Sequence, residues 1–313
     1  MAQAIEYVEF GEPEVLTLHE VTSSAPAAGE VTVRLAAVGV NPLEAKIRSG
    51  RRPSGEITTP RRLGADAAGT ISAVGDDVEG FRVGDPVIVF GASGAYATEL
   101  TVPFANVQPR PVHVSAAEGA ALGIPAGTAY QTLRSLDVRP GDTLLVHGGS
   151  GAVGQAVAQF AALWGIPVVA TASPRRHERL RALGAIPVAY GAGLEDRVRA
   201  AAPQGITAVI DIAGTDEAID VSLHLLGDRS RIVTLVRGKD AAGLGIRAFL
   251  GGSPEPLTAR QQQLRAEAMP VVLNLMAAGR FSVELGPSFA LADAAEAHRV
   301  LEAGVDGKIT LTL

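Results

Sequence analysis

Apolar and polar residues alternate near the start of the chain: Val31, Val33 and Leu35 are separated by Thr32 and Arg34, the pattern of a half-buried strand. Short apolar runs at 70–74, 87–90 and 95–102 follow, separated by turn clusters such as Gly75-Asp76-Asp77 and Gly84-Asp85-Pro86. Closely spaced short strands of this kind predict a compact barrel or sandwich over residues 1 to about 118. From about residue 142 the rhythm changes. A strand at 143–146 runs into a glycine cluster and then a helix, in which Val153, Val157, Phe160 and Trp164 recur at helical spacing and predict one buried stripe. Strands at 168–171, 186–189, 207–212, 231–236 and 244–250 alternate with helices at 174–183, 194–202 and 217–226. That order predicts a parallel sheet covered on both faces. A longer helix is expected over 256–278, with Pro270 as its start or a kink, then strand 281–285, helix 291–303 and strand 308–313. The tail is too short for a core of its own. It is expected to pack on the first segment, which makes the α/β region an insertion.

The segment TLLVHGGSGAVGQAVAQF holds Gly149-x-Gly151-x-x-Gly154 between a predicted strand and a predicted helix, the setting in which this spacing signals dinucleotide binding. Gly149 is assigned to the tight turn and Gly151 to close approach of the backbone to a pyrophosphate. Gly154 lets the helix close on the strand, and the N–H groups of Ser150, Ala152 and Val153 complete the cradle. His147 is expected to order this loop. Sites for NAD usually carry Asp or Glu about 20 residues further on, to bind the adenosine ribose. Here Ala172-Ser173 stand there, followed by Pro174-Arg175-Arg176. A hydroxyl and two guanidinium groups without an acid suit a 2′-phosphate, so NADPH is favoured over NADH.

Composition narrows the rest. Lys+Arg 27 against Asp+Glu 33 leaves a net charge of −6, with no basic run to suggest nucleic acid or an anionic membrane as partner. No cysteine is present, so thiolate zinc sites, disulfides and cysteine nucleophiles are impossible. The N-terminus has no basic flank or apolar core of a secretion signal, and the most apolar stretch, 151–173, is broken by Gln155, Gln159 and Pro167. A cytoplasmic protein is expected.

The segments VNPLEAKIRSG (40–50), GADAAGTISAVGDDVEGFRVGD (64–85), VHGGSGAVG (146–154) and GKITLTL (307–313) resemble the zinc-independent quinone oxidoreductases, zeta-crystallin-like members of the medium-chain dehydrogenase/reductase superfamily. The resemblance implies a Rossmann doubly wound parallel sheet inserted into a GroES-like β-rich catalytic domain. Its expected division is residues 1–120 for the first part of the catalytic domain, 121–262 for the NADP-binding domain, and 263–313 for a linking helix and the return. It also implies a homodimer, formed by pairing the last Rossmann strand, 244–250, with its copy. Zinc-dependent relatives place Cys near Asn41 and a His-Glu pair near Ala65-Asp66, so their catalytic zinc set is absent here. By the same resemblance Asn41 lies near nicotinamide and substrate, Thr128 contacts the nicotinamide end, and Arg176 and Tyr190 help hold the 2′-phosphate. Ala152 replaces a glycine common in quinone reductases. Lys46 stands where they often have tyrosine, so Glu44-x-Lys46 is closer to the Asp-x-Lys of enone and alkenal reductases. Lys46 and Glu44 could equally be surface charges or neighbours on one strand face, and Asn41 could simply fix the turn before Pro42.

Without a Lewis acid, alcohol oxidation loses its usual route, whereas hydride delivery to an electron-poor acceptor needs only a few donors around a developing oxyanion. The expected activity is therefore reduction of a small-molecule quinone or an α,β-unsaturated carbonyl by NADPH, with Asn41 and Lys46 orienting the acceptor and Lys46 able to give a proton. Two alternatives stay open: an NADPH-binding structural or interaction protein with little turnover, and an enoyl-thioester reductase. The second needs a basic docking surface, and no clustered candidate stands out in the sequence.

Overall fold

A computed structural model of the chain describes residues 2–52, 54–249 and 255–313. The chain divides into two units, one comprising Met1–Ile124 with Met269–Leu313, the other Pro125–Ala268.

The first unit is β-rich. Its elements begin with β1 (Ala2–Tyr7), β2 (Thr17–Val21), β3 (Glu30–Gly39), α1 (Pro42–Arg48), β4 (Arg61–Arg62) and β5 (Ala67–Val74). They continue with β6 (Pro86–Val89), β7 (Glu99–Pro103), β8 (Val107–Pro109) and α2 (Ala116–Ala120). The helix α3 (Gly123–Ser135) leads into the second unit. One sheet runs β2-β1-β4. The larger runs β15-β16-β3-β5-β6-β8, with β7 also on β3; its first two strands, β15 (Leu285–Ala290) and β16 (Lys308–Thr312), come from the end of the chain. Val31, Val33 and Leu35 of β3 are buried and Arg34 is exposed, as the alternation predicts. Thr32 is buried as well, because its hydroxyl is bonded to that of Thr101 on β7 at 2.9 Å. The run at 95–102 becomes a strand only from Glu99; Ala97 makes an isolated bridge to Ala4.

The second unit holds β9 (Leu144–His147), α4 (Ala152–Leu163), β10 (Val168–Thr171), α5 (His177–Ala182), β11 (Ile186–Val188) and α6 (Leu194–Ala201). It continues with β12 (Ala208–Asp211), α7 (Asp216–Leu225), β13 (Ile232–Thr234), α8 (Gly238–Leu244) and β14 (Arg247–Ala248). The strands form one parallel sheet, β11-β10-β9-β12-β13-β14. Every residue of β9, β10, β12 and β13 is buried, which is why these strands read as continuous apolar runs rather than alternations. The helix α9 (Ala259–Ala277) leads back to the first unit, which closes with α10 (Ala294–Ala303) and β16.

Several expectations change. The residues from Gly154 to Ala161 are all buried, so α4 is covered around its circumference rather than along one stripe, with Phe160 and Trp164 packed edge-to-face against Tyr130. Residues 174–183 split into a 3₁₀ turn, Pro174–Arg176, and α5. The strand expected at 244–250 is reduced to β14: Leu244 closes α8, Gly245 ends that helix in the left-handed region at φ 69°, and Leu250 lies outside the described residues. The strand expected at 281–285 starts only at Leu285, because its partner β16 begins at Lys308, which pairs with Leu285. Pro270 lies inside α9 rather than at its start.

Candidate functional site

In the α/β unit, strand order reverses at β9, which has β10 on one side and β12 on the other; open α/β sheets bind ligands outside the carboxyl ends of the strands at such a point. The glycine loop leaves β9 here. Its left-handed turn is made by Gly148 (φ 79°) and not by Gly149. Gly149 is needed for closeness instead: a Cβ there would lie 2.7 Å from the Cβ of Ala170 on β10. A Cβ on Gly154 would lie 2.5 Å from the Gly148 carbonyl oxygen, so helix and loop close on each other only with glycine. Gly151 caps α4 without a side chain and is exposed, and a Cβ there would meet only Gly148 O at 3.7 Å. The free first-turn N–H groups of Ala152 and Val153 therefore open beside unfilled space, a cradle suited to an anion.

Thr171, rather than His147, orders the loop. Its hydroxyl accepts from Gly148 N–H at 3.0 Å and its carbonyl from Gly149 N–H at 2.9 Å. Gln155 donates to Ser150 O at 2.8 Å and accepts from Arg179 Nε at 2.9 Å, tying the loop to α5. The His147 imidazole is buried, its Nε2 has no hydrogen-bond partner, and burial pushes its pKa down to about 4, so it is neutral.

Thr171 on β10 pairs with Val188 on β11, so Ser173 and Tyr190 stand equally far beyond the two strands at the same carboxyl edge. Arg176 is 8% exposed, with its N–H bonded to Ser173 O at 2.9 Å, while Arg175 and Tyr190 are exposed. No carboxylate stands at positions 172–176. Thr128 on α3 is buried, and its hydroxyl accepts from Arg265 at 3.0 Å.

In the β-rich unit, Asn41 caps α1, followed by Pro42 in the first turn and Glu44 at its third position. The Glu44 carboxylate accepts from the Asn41 N–H and, at 3.0 Å, from Asn41 Nδ2. Asn41 Nδ2 also donates to Asp66 at 3.2 Å, and Asp66 accepts from Ile124 N–H at 2.8 Å. From β16, the Lys308 ammonium donates to Val40 O at 2.7 Å and to Asn41 Oδ1. Asn41, Glu44, Asp66 and Lys308 are all at most 5% exposed. Both amide hydrogens of Asn41 are thus committed to carboxylates, which leaves none for an acceptor molecule. Lys46, half-buried on α1, has Arg51 and Arg52 as its charged neighbours; burial and these like charges lower its pKa. It lies on a helix, not on a strand face with Glu44. The resemblance pairs Glu44 with Lys46 and brings Lys308 towards the cleft, but no spacing in the sequence links Lys308 to Asn41 or Glu44. The N-cap pattern Asn41-Pro42-x-Glu44 was the available signal for both the helix and the Glu44 contact.

Burial pushes Glu44 up to about 7, with Asp66 adding to the rise and Lys308 opposing it. The folded protein therefore holds a proton that the unfolded chain, with an ordinary value of 4.5, has released. Stability from this group is complete below about 4.5 and is lost as pH rises towards 7. Lys308, lowered by the same burial, acts with the opposite sign on the alkaline side. Urea unfolding at pH 5 and pH 7 is expected to show a loss on the order of 2 kcal/mol that Glu44→Gln removes. Equal pH dependence in both proteins would mean that the carboxyl is solvated.

The donor set does not fit zinc. The chain has no cysteine, an ammonium already lies among Asn41, Glu44 and Asp66, and among the described residues no group of three or more His, Asp or Glu could hold a metal ion.

Residues 27–112 match the family described as alcohol dehydrogenase GroES-like domain, and residues 183–311 the family described as zinc-binding dehydrogenase. Quinone oxidoreductase of Mus musculus is 30% identical, covering 100% of this chain and 98% of its own length. The crystal structure of quinone oxidoreductase from Pseudomonas syringae pv. tomato DC3000 superposes with a TM-score of 0.85 at 29% identity, covering all of both chains. That of Escherichia coli quinone oxidoreductase complexed with NADPH gives 0.84 at 25% identity, covering 99% of this chain and 100% of the other.

Proposed function

The chain belongs to the quinone oxidoreductases of the medium-chain dehydrogenase/reductase superfamily, with their Rossmann sheet and GroES-like β-rich domain, and from that membership we propose that it reduces a quinone or an α,β-unsaturated carbonyl with NADPH. The observation that supports the cofactor choice is the stretch 172–176 after β10, which carries Ser173, Arg175 and Arg176 and no acid, with Tyr190 two residues beyond the paired end of β11. The complex of the Escherichia coli relative with NADPH supports the same reading.

When bound, NADPH supplies a hydride. In the loop from Gly149 to Gly154 the Gly149 and Gly151 N–H groups are taken by the Thr171 and Gly148 carbonyls, so those of Ser150, Ala152 and Val153 would hold its pyrophosphate against the positive end of α4. Arg176 and Arg175, with Ser173 and Tyr190, neutralise the 2′-phosphate. Thr128 contacts the nicotinamide end. Asn41 acts by fixing the Lys308 ammonium, whose third N–H is uncommitted among the described residues. Lys46 is a second ammonium, and its lowered pKa eases proton release to a developing enolate or hydroquinone oxygen. A cytoplasmic homodimer joined along the β14 edge completes the proposal.

The test is NADPH oxidation with a simple quinone and a simple enone, with NADH as control donor. Turnover with NADPH alone is expected. Arg176→Ala is expected to raise the NADPH dissociation constant about tenfold or more while leaving that for NADH within about twofold. Equal losses for both dinucleotides would refute the assignment, and tight NADPH binding without oxidation of any acceptor would move the reading to a non-enzymatic role.

A further inference from the structure

An acidic chain concentrates positive charge in one place. Six of its 27 Lys and Arg fall between Lys46 and Arg62, against one acid, Glu56. The structure shows which of these charges are neutralised. Arg48 and Arg51 share Glu302, and Arg62 pairs with Glu6 at 2.8 Å. Among the described residues the partners of Arg61 are neutral: it donates to the Ser54 hydroxyl at 3.0 Å and the Glu56 carbonyl at 2.5 Å, it hydrogen-bonds the Tyr7 phenol, and its guanidinium lies 5.8 Å from the centre of the Phe10 ring. Among the described residues neither Arg61 nor Lys46 has a carboxylate within ion-pair distance.

Arg61 and Arg62 border a cavity of about 450 Å³ in the β-rich unit, within the size range of small-molecule sites. Its wall is apolar, with Leu43, Ile47, Leu63 and Ala92, and Glu44 lines it too. The cavity therefore reaches the Asn41–Glu44–Lys308 cluster at one point and carries an uncompensated guanidinium at another. A neutral acceptor would leave that charge unused, whereas an anionic group would supply the missing partner in the planar, two-pronged geometry that arginine offers. Glu44 does not forbid this, because burial, with Asp66 adding to it, raises its pKa to about 7 against the Asn41 hydrogen bonds and the Lys308 charge, which favour the carboxylate.

We infer that this cavity takes an acceptor bearing an anionic group, a carboxylate or phosphate set apart from the reducible double bond, and that Arg61 selects it. The inference rests on the reductase reading and names its substrate class. It also gives the basic site that an enoyl thioester of coenzyme A would need, and so corrects the expectation that no clustered candidate stands out in the sequence. The two sources of negative charge are separable by experiment.

The experiment compares four acceptors on the intact chain and on Arg61→Gln: a carboxyl-bearing naphthoquinone against its methyl ester, and crotonyl-coenzyme A against crotonyl N-acetylcysteamine. The charged member of at least one pair is expected to have the higher kcat/KM, and Arg61→Gln is expected to lower the charged-to-neutral ratio about tenfold. Added salt is expected to shrink the same ratio. Preference within the first pair alone assigns a carboxylate, and within the second a phosphate. Equilibrium binding of 2-naphthoate against 2-naphthamide supplies a readout that needs no turnover: tighter naphthoate binding that disappears in Arg61→Gln supports the site. No preference in either pair, with equal binding of naphthoate and naphthamide, overturns it. Failure to oxidise NADPH with any acceptor, while naphthoate still binds through Arg61, overturns the reductase reading and leaves the anion site standing.

Discussion

Lys308→Met destabilises the β-rich unit by about 3–5 kcal/mol, the scale for removing one partner of a buried charge pair. Methionine fills a similar volume, so the loss is electrostatic. It leaves Val40 O and Asn41 Oδ1 without their donor, and Glu44 and Asp66 without the ammonium that faces them. Glu44 offers a partial escape by keeping its proton, so the deficit is expected to be smaller at pH 6 than at pH 8, where holding that proton costs more. Urea unfolding read together with hydrogen exchange of the β3 and β16 amides checks this. A loss below about 1 kcal/mol would place the pair among exposed ion pairs and remove the buried cluster as an organising feature.

Gly154→Ala is expected to raise the NADPH dissociation constant between tenfold and a hundredfold. The new Cβ would meet the Gly148 carbonyl oxygen at 2.5 Å and Gly149 at 2.6 Å, all backbone atoms with no rotamer to give way. Either α4 moves off the loop or the loop opens, and both separate the helix N-terminus from the N–H groups that cooperate with it. Strain from overpacking of about 1–3 kcal/mol corresponds to that range if it is relieved by losing the binding geometry. Fluorescence titration of NADPH reads the result directly. A constant within about threefold of the parent would mean that the glycine packs the fold and leaves the cradle intact.

The parallel sheet was legible because its buried strands are short, uninterrupted apolar runs and its helices are bounded by glycine and proline; 168–171 was read with its observed bounds. The sheet edge was not. Residues 244–250 are apolar enough for a strand, but Gly245 takes a left-handed turn that closes α8, and a single sequence does not reveal which glycines do so. In the dinucleotide loop the spacing located the motif, yet it assigned the turn one residue late. Gly148 lies outside the pattern, and only the distance to Ala170 shows what Gly149 is for. The polar cluster was the least legible part. Its members come from α1, the start of β5 and the last strand, and no linear spacing relates Asn41 to Lys308. Lys46 drew attention because it is near in sequence, but residues two apart on a helix do not share a face with Glu44.

The strand β16 has a consequence for how the protein is made. It pairs with β3 through Thr310 and Gly39, and β3 is synthesised long before it. Until β16 leaves the ribosome, β3 has β5 on one side and β7 along 30–34 on the other but keeps its edge at 37–39 open, and the Asn41 amide lacks the ammonium that will meet it. An unpaired apolar edge is the feature by which nascent chains find the wrong partner. The α/β unit is continuous in sequence and can close while translation proceeds. The β-rich unit must wait for β16, so the interval before that strand emerges is when a chaperone would have most to do for this protein.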